Sequence, residues 1–248
     1  MWVQKNRKMG TLALQWGFYD QTIPNNTMTT DKYSRTYHFP FSLGTTSDDR
    51  ILYDWQALLQ HKLVVTEKLD GENTCLKATG VYARSHAAPT RSAWSGKMWE
   101  LWEMHKAHLG DLHIFGESLY AIHSIEYARL EHYYYVFAIR DGNTWLAWDD
   151  VCLYAHALDL PTVPVIERKM FDETELQQSI QKHLLLGSRL GGECEGFVVR
   201  NENAFSTDLF HQNVLKYVRK NHVKTDEHWT KNWQRAQLWF EQPTKTQP

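Results

Sequence analysis

Cysteine is scarce in this chain. Its three residues, Cys75, Cys152 and Cys194, are odd in number, far apart and without a C-x-x-C pair. That excludes a disulfide framework and a zinc knuckle, and it is what a reducing, cytoplasmic setting predicts. Long apolar runs are also missing, which excludes a membrane-spanning helix and predicts a protein without a membrane partner. The N-terminal stretch "MWVQKNRKMGTLALQWGF" is basic, but its apolar part is short and broken by Gln15, a poor match to a secretory signal. Charge of one sign is lacking too: the formal net charge is −2 and the sequence pI about 6.7. A nucleic-acid partner would therefore have to be held by a local basic patch and not by a global field. Internal repeats, low-complexity tracts and Pro/Gly/Ser-rich linkers are absent, so the 248 residues read as one domain large enough to bury its own core.

What is present is a series of short β-like runs. Leu63–Thr66, Thr74–Ala78, His113–Glu117, Tyr133–Ile139, Thr162–Ile166, Gly196–Arg200 and Val214–Val218 are rich in Val, Ile, Tyr and Phe and are separated by turn residues. Helical periodicity is sparser. It covers residues 94–108 (Trp94, Met98, Leu101, Trp102 and His105 on one face), 149–159 behind an Asp149 cap, and 172–186 behind an Asp172/Glu175 capping box. It recurs over 226–240, with Trp229, Trp233, Ala236 and Phe240 on one stripe. Strands dominate the mixture, which predicts an α+β fold. Residues 1–27 show neither period and end in "PNNT"; they read as a weakly ordered extension, with the domain proper spanning 28–248.

Inside "VVTEKLDGENTCL", residues 64–76, a lysine stands at the end of a strand and is followed at once by an Asp-Gly turn. Alone, Lys68 is most simply a solvated side chain, and K-x-D-G is short enough to arise by chance. Its position is nevertheless what a nucleophilic amine needs. The strand end gives rigidity and the turn reverses the chain sharply, so the amine can be placed beside an electrophile. Nearby cations, such as a metal and Lys216, would favour the neutral amine, whereas Glu67 would oppose it.

Further segments follow in a fixed order: "YARSH" with Arg84, "IFGESLYAIHSIEY" with Glu117, "YYYVFAIRDG" with Phe137, "ECEGFVVR" with Glu195, and "VLKYVRK" with Lys216. Read singly, each has a plainer meaning. Glu117 and Glu195 would be exposed strand-end carboxylates, and Phe137 a core residue. In this order, with "RTYHFPFS" ahead of the lysine, they resemble the motif series of the covalent nucleotidyltransferases, and most closely the RNA ligase 2-like family of ATP-dependent RNA ligases. The resemblance spans about residues 30–235.

The resemblance implies a nucleotidyltransferase (ligase adenylylation) domain built on antiparallel sheets with flanking helices. It implies RNA sealing, as in RNA repair, through a lysyl-AMP intermediate, with ATP as substrate and Mg2+ or Mn2+ assisting. Lys68 would be the residue adenylylated. Glu67 and Asn73 would contact the nucleotide or the reactive end, Arg84 a phosphate or the ribose region, and Glu117 the ribose. Phe137 would stack on adenine, Glu195 would hold the metal, and Lys216 would grip the α-phosphate. The partners would be RNA 5′-phosphate and 3′-hydroxyl ends, with Arg35, Arg219, Lys220 and Lys224 as further candidates for phosphate contacts and a dimer or partner subunit as a source of extra surface.

One departure stands out. Many relatives carry Lys-x-Lys in the last motif, and here the second position is Val218, with Arg219 and Lys220 beyond. Strand alternation puts Val218 on the face of Lys216, so Arg219 can substitute only if the strand ends or bulges. A DNA ligase-like nucleotidyltransferase or capping enzyme is the rival within the enzyme class. Those families normally add an OB-fold domain, none of which is expected in the 28 residues after Lys220. A nucleotide- or RNA-end-binding protein without sealing activity is the rival outside it. The thirteen histidines include His105 and His108 at i and i+3, which suggest no metal site without a third ligand.

Overall fold

The computed structural model describes residues 32–220 and 229–242. Eleven strands appear in chain order: β1 (Tyr37–His38), β2 (Leu63–Lys68), β3 (Glu72–Lys77), β4 (Gly80–Ala83), β5 (His113–Ser118), β6 (Tyr134–Asp141), β7 (Thr144–Trp145), β8 (Val165–Lys169), β9 (Gly196–Asn201), β10 (Phe205–Ser206) and β11 (Val214–Val218). The α-helices are α1 (Gly96–His105), α2 (Trp148–Ala157), α3 (Glu173–Leu186) and the single turn α4 (Phe210–Asn213). The strands form two sheets, ordered β1-β11-β9-β2-β8 and β10-β7-β6-β5-β3-β4. Only β1 with β11 is parallel; every other pairing is antiparallel. The architecture is thus the expected α+β one.

β2 is where the two sheets meet. Its run Leu63–Glu67 is buried throughout, because each face packs on a different core. Leu63 and Val65 point into a cluster with Leu176 and Ile180 of α3, whereas Val64 points into the larger cluster with Leu76, Ile114 and Trp148. At Lys68 the strand ends, and Leu69-Asp70-Gly71 carries the chain into β3 of the other sheet. This turn is tied down at three points. The Asp70 amide donates to the Tyr127 hydroxyl at 2.8 Å. The Asp70 carboxylate accepts from the Ser124 amide (2.8 Å), the Ser124 hydroxyl (2.6 Å) and the Ile125 amide (2.9 Å). The Gly71 amide donates to Glu117 Oε1 at 3.1 Å. A Cβ on Gly71 would lie 2.4 Å from the Ser118 carbonyl oxygen, so only glycine lets the turn come this close to β5.

The remaining differences from expectation have local causes. β8 begins at Val165 and not at Thr162, because Pro164 has no N–H for the ladder. Asp149 is not the cap of α2; Ala147 is, and Asp149 sits in the first turn, where its carboxylate takes both arms of the Arg168 guanidinium at 2.6 and 2.8 Å. The Asp172/Glu175 capping box of α3 forms as expected. The C-terminal stripe is not an α-helix. Residues 229–242 form two short 3-10 turns joined by extended chain, which bridges Ala121 through Arg235 and donates the Ala236 amide to the Tyr120 carbonyl. Trp229 and Trp233 wedge against Trp94, and Trp229 also stacks on His123 at 3.7 Å. Their helical spacing fits this strap equally well, because a strap too needs an apolar residue every few positions. The expected extension, residues 1–27, and Lys224 lie outside the described residues. Among those described, no helix is long and apolar enough to cross a membrane.

Gly196 is the tightest point of the first sheet: a Cβ there would stand 2.0 Å from the Tyr217 carbonyl oxygen of β11. Gly196→Ala must push β9 and β11 apart, and should destabilise the domain by about 1–3 kcal/mol or more, the usual cost of overpacking. A urea unfolding curve checks this. An unchanged midpoint would mean that the strand pair yields without loss.

Candidate active site at the sheet junction

The antiparallel register pairs Lys68 with Gly196. That single pairing brings the neighbouring Glu195 to the lysine: Nζ donates to Oε1 at 2.7 Å and Oε2 at 2.6 Å. Lys68 lines a cavity of about 560 Å³ between the two sheets, with Glu195 behind it, a size typical of small-molecule sites. One wall comes from the first sheet, with Glu67, Lys68, Arg200 and Lys216. The other comes from the second, with Asn73, Glu117 and Phe137; Arg84 follows β4 at the rim. Six strands thus deliver to one cavity residues that lie as far apart in the chain as Glu67 and Lys216.

Glu195 is buried, 5% exposed, and Glu117 is half-buried, so neither is the exposed strand-end carboxylate of the plainer reading. Glu67 Oε2 accepts from the Arg189 amide at 2.8 Å, while its Oε1 and the Asn73 Oδ1 are buried without a hydrogen-bond partner. Two orphaned acceptors in a cavity wall suit a ligand that brings donors, such as an exocyclic amine or sugar hydroxyls. Phe137 is half-buried with its ring in the cavity, edge-on to Tyr33 at 5.0 Å, so it is neither fully core nor fully free.

The electrostatics correct one expectation. Lys68 is not shifted toward the neutral amine. Burial alone would depress its pKa, but Glu195, Glu117 and Asp70 outweigh burial and hold it above the ordinary lysine range. Its opposing carboxylate is Glu195 and not Glu67. Glu117 is pushed up to about 8, by burial first and then by Glu195 and Asp70, against the pull of Lys68. A carboxyl held protonated near neutral pH marks a site short of positive charge. Lys216, by contrast, is lowered by burial, with Lys68 and Arg84 adding to the effect and Asp49 opposing it.

That shortage is the test for a metal. The donors present are hard carboxylate oxygens, suited to Mg2+ or Mn2+ in the company of phosphate oxygens. Among the described residues no group of three His, Cys, Asp or Glu could hold a cation unaided. Glu195 therefore fits a cation shared with a phosphate ligand and not a resident structural metal. His105 and His108 form no site.

Several candidates fall elsewhere. Val218 is buried at 2% exposure and β11 ends there. Arg219 does not replace the second lysine: its guanidinium pairs with Glu193 and does not line the cavity. Arg35 donates to the Asp48 carbonyl and Lys220 is exposed, both away from the cavity. His38, in the "RTYHFPFS" stretch, is buried at 1% exposure. Sequence reasoning missed Arg200, whose buried guanidinium lines the cavity while donating to the Leu146 carbonyl at 2.7 Å. It also missed Tyr33, Trp229 and His123 at the cavity wall. Arg200 closes the quoted "ECEGFVVR", but only the alternation of β9 shows that it faces inward with Val198.

Glu117 yields a pH test. Its folded pKa, about 8, lies above its unfolded value, so the folded state binds the extra proton between about pH 4.5 and 8 and loses stability as pH rises through that window. Glu117→Gln imitates the protonated acid. It should leave the thermal midpoint near pH 5 almost unchanged and raise it above pH 8, at up to roughly 1.4 kcal/mol per pH unit of the window. Equal midpoints at both pH values would show that Glu117 is ionised at ordinary cost.

Comparison with known proteins adds the following. An archaeal ATP-dependent RNA ligase aligns over 73% of this chain and 48% of its own, at 17% identity and a TM-score of 0.48. A putative ATP-dependent DNA ligase from Aquifex aeolicus aligns over 76% and 50%, also at 17% and 0.48. A Naegleria gruberi RNA ligase mutant solved with ATP and Mn aligns over 75% and 60%, at 17% and 0.45. The chain spans about half the length of the archaeal and Aquifex chains. No curated protein matches. The family model described as RNA ligase matches residues 61–218, well over half the chain and every strand from β2 to β11: the chain belongs to the RNA ligase family.

Proposed function

We propose that the protein is an ATP-dependent RNA ligase that works through a lysyl-AMP intermediate, with Lys68 as the nucleophile, and that it serves RNA repair. The observation that carries this reading is the Lys68–Glu195 contact, 2.6–2.7 Å, at the mouth of a nucleotide-sized cavity that also holds Phe137 and Lys216. Family membership fits the same chemistry.

In the first step the Lys68 Nζ attacks the α-phosphorus of ATP. A nitrogen–phosphorus bond forms and the bond to pyrophosphate breaks. The AMP then passes to an RNA 5′-phosphate, regenerating the amine, and a 3′-hydroxyl finally displaces AMP and closes the strand. Phe137 offers a flat apolar face to the base. Glu67 and Asn73 offer acceptors to its amine or to the reactive end, and Glu117, kept protonated, can donate to or accept from a ribose hydroxyl. Arg84 and Lys216 face the phosphates. A divalent cation held by Glu195 and the phosphate oxygens would supply neutralisation of the transferring group. With its carboxylate so engaged, Glu195 would cease to offset the burial of Lys68, and burial together with Lys216 would favour the neutral, nucleophilic amine.

Incubation with radiolabelled ATP and magnesium tests the reading directly. The wild type should form an SDS-stable AMP adduct, and Lys68→Ala and Lys68→Arg should form none, because a guanidinium stays protonated. Either variant should still seal RNA that arrives already adenylylated. An adduct on Lys68→Ala at the wild-type level would assign the nucleophile elsewhere.

The same reading separates two salt dependences. ATP is held inside the cavity, so adduct formation should change little between about 50 and 200 mM salt. Sealing needs phosphate contacts to RNA, which this chain, at a net charge of −2, must draw from a local patch. Sealing should therefore fall steeply over the same range and leave adenylylated RNA behind. Parallel loss of both activities would place the RNA contact and the ATP contact on one surface.

A further inference from the structure

Lys216 has company that the reading above does not use. Its Nζ lies 3.5 Å from Asp49 Oδ1, and both side chains are largely buried, 20% and 18% exposed. Asp49 belongs to the loop between β1 and β2, well outside the motif series. Its other oxygen, Oδ2, accepts from the Thr46 amide at 3.1 Å and the Thr46 hydroxyl at 3.0 Å, so the carboxylate cannot swing. Against burial, which would raise it, the Thr46 amide, Lys216 and His38 hold the carboxyl well below the ordinary range.

The shared oxygen is also faced by His38, whose Nε2 lies 3.2 Å away. The tautomer follows from the other ring nitrogen. Ser42 Oγ accepts from the Val218 amide at 2.9 Å and lies 2.8 Å from His38 Nδ1, but 3.4 Å from the Val218 carbonyl. Its one proton therefore goes to Nδ1. The imidazole is neutral, pushed down to about 4 by burial and by Lys216, so its own proton sits on Nε2, close to Asp49 Oδ1 but outside hydrogen-bond alignment. β1 holds His38 in register with Lys216, and the His38 amide donates to the Arg50 carbonyl at 2.8 Å, which brings the Asp49 loop alongside. A series of close polar contacts thus runs from the Val218 amide through Ser42, His38 and Asp49 to Lys216. It starts at the position where many relatives place a second lysine.

From this network we infer that Asp49, held by Thr46 and faced by His38, is a positioning residue that fixes the Lys216 ammonium toward the α-phosphate. The inference rests on the ligase reading. With Val218 where a second lysine would stand, Lys216 is the one lysine that β11 offers the phosphate, so its own placement must be rigid. A carboxylate behind it provides that and keeps it charged in a buried setting. The ionisable groups facing Lys216 are Asp49 from the loop, His38 from β1, Lys68 from β2 and Arg84 beyond β4. Asp49 is the sole anion in that set.

Asp49→Asn keeps the shape and the bonds to Thr46 but removes the charge. Single-turnover self-adenylylation, measured with the one equivalent of pyrophosphate released as readout, should lose roughly 10- to 100-fold in its maximal rate constant, the range for partners that orient a functional group, while the ATP concentration giving half that rate stays within about twofold. The alkaline limb of the pH profile should move to lower pH, and Asp49→Glu should recover part of both. Thr46→Val, in an exposed loop, should give a smaller loss in the same direction and covers the case in which Asp49→Asn does not fold. The loss should vanish when Asp49→Asn is added to Lys216→Ala. An unchanged maximal rate constant and pH profile, a change in the half-saturating ATP concentration alone, or an undiminished loss in the Lys216→Ala background would each overturn the inference. A wild type that forms no adduct would instead overturn the ligase reading, and the comparison of variants separates the two failures.

Discussion

One pairing governs the site: Lys68 opposite Gly196 in the ladder between β2 and β9. Shift that register by one residue and every side chain of β2 exchanges faces. Lys68 would then lose Glu195, Glu67 would leave the Arg189 amide, and Val64 would turn out of the larger core. The register is held because β2 is buried on both faces, so a slip would misplace apolar residues in two cores at once. Gly196 adds a steric lock, since any larger residue collides with the β11 backbone. The geometry of the lysine is therefore fixed by the most stable part of the fold and not by a loop.

The electrostatics follow from that placement. Three carboxyl groups, on Glu195, Glu117 and Asp70, surround one ammonium, and the site resolves the excess by keeping Glu117 protonated and Lys68 charged. It is a resting arrangement. On the ligase reading, chemistry at the amine would require the balance to be altered from outside, by something positive that occupies Glu195, and the pairing would shield the amine from other electrophiles until then.

Much of this was legible in the sequence, and the reasons are physical. Buried strands announce themselves as runs of Val, Ile, Tyr and Phe, so seven of them could be read, six with boundaries close to those observed and β8 three residues early. The capping box of α3 could be read because Asp172 and Glu175 act locally. Lys68, Glu117, Glu195, Phe137 and Lys216 could be gathered because their order along the chain carries the information. Other features could not be read. The Trp229–Phe240 stripe has helical spacing, yet the chain uses it in extended form, a choice made by Trp94, Tyr120 and His123 far away. Asp49 and His38 look like a solvated acid and an aromatic-stretch histidine until β1 lies down beside β11. The charge state of Lys68 depends on Glu195 across the sheet, and no local pattern reports it.

The strap formed by residues 229–242 has a consequence for how the molecule is made. It braces the 119–133 segment from behind, through the bridge at Ala121, the Tyr120 carbonyl and the Tyr133 hydroxyl, which donates to the Ala236 carbonyl at 3.1 Å. That segment in turn supplies Ser124, Ile125 and Tyr127, which anchor Asp70 beside the lysine. The turn is thus finished by residues that leave the ribosome long after it does. A nascent chain that already contains every motif from Lys68 to Lys216 still lacks this support, and its cavity wall at Trp229 is open. The order of synthesis therefore delays a finished cavity until the strap has folded back.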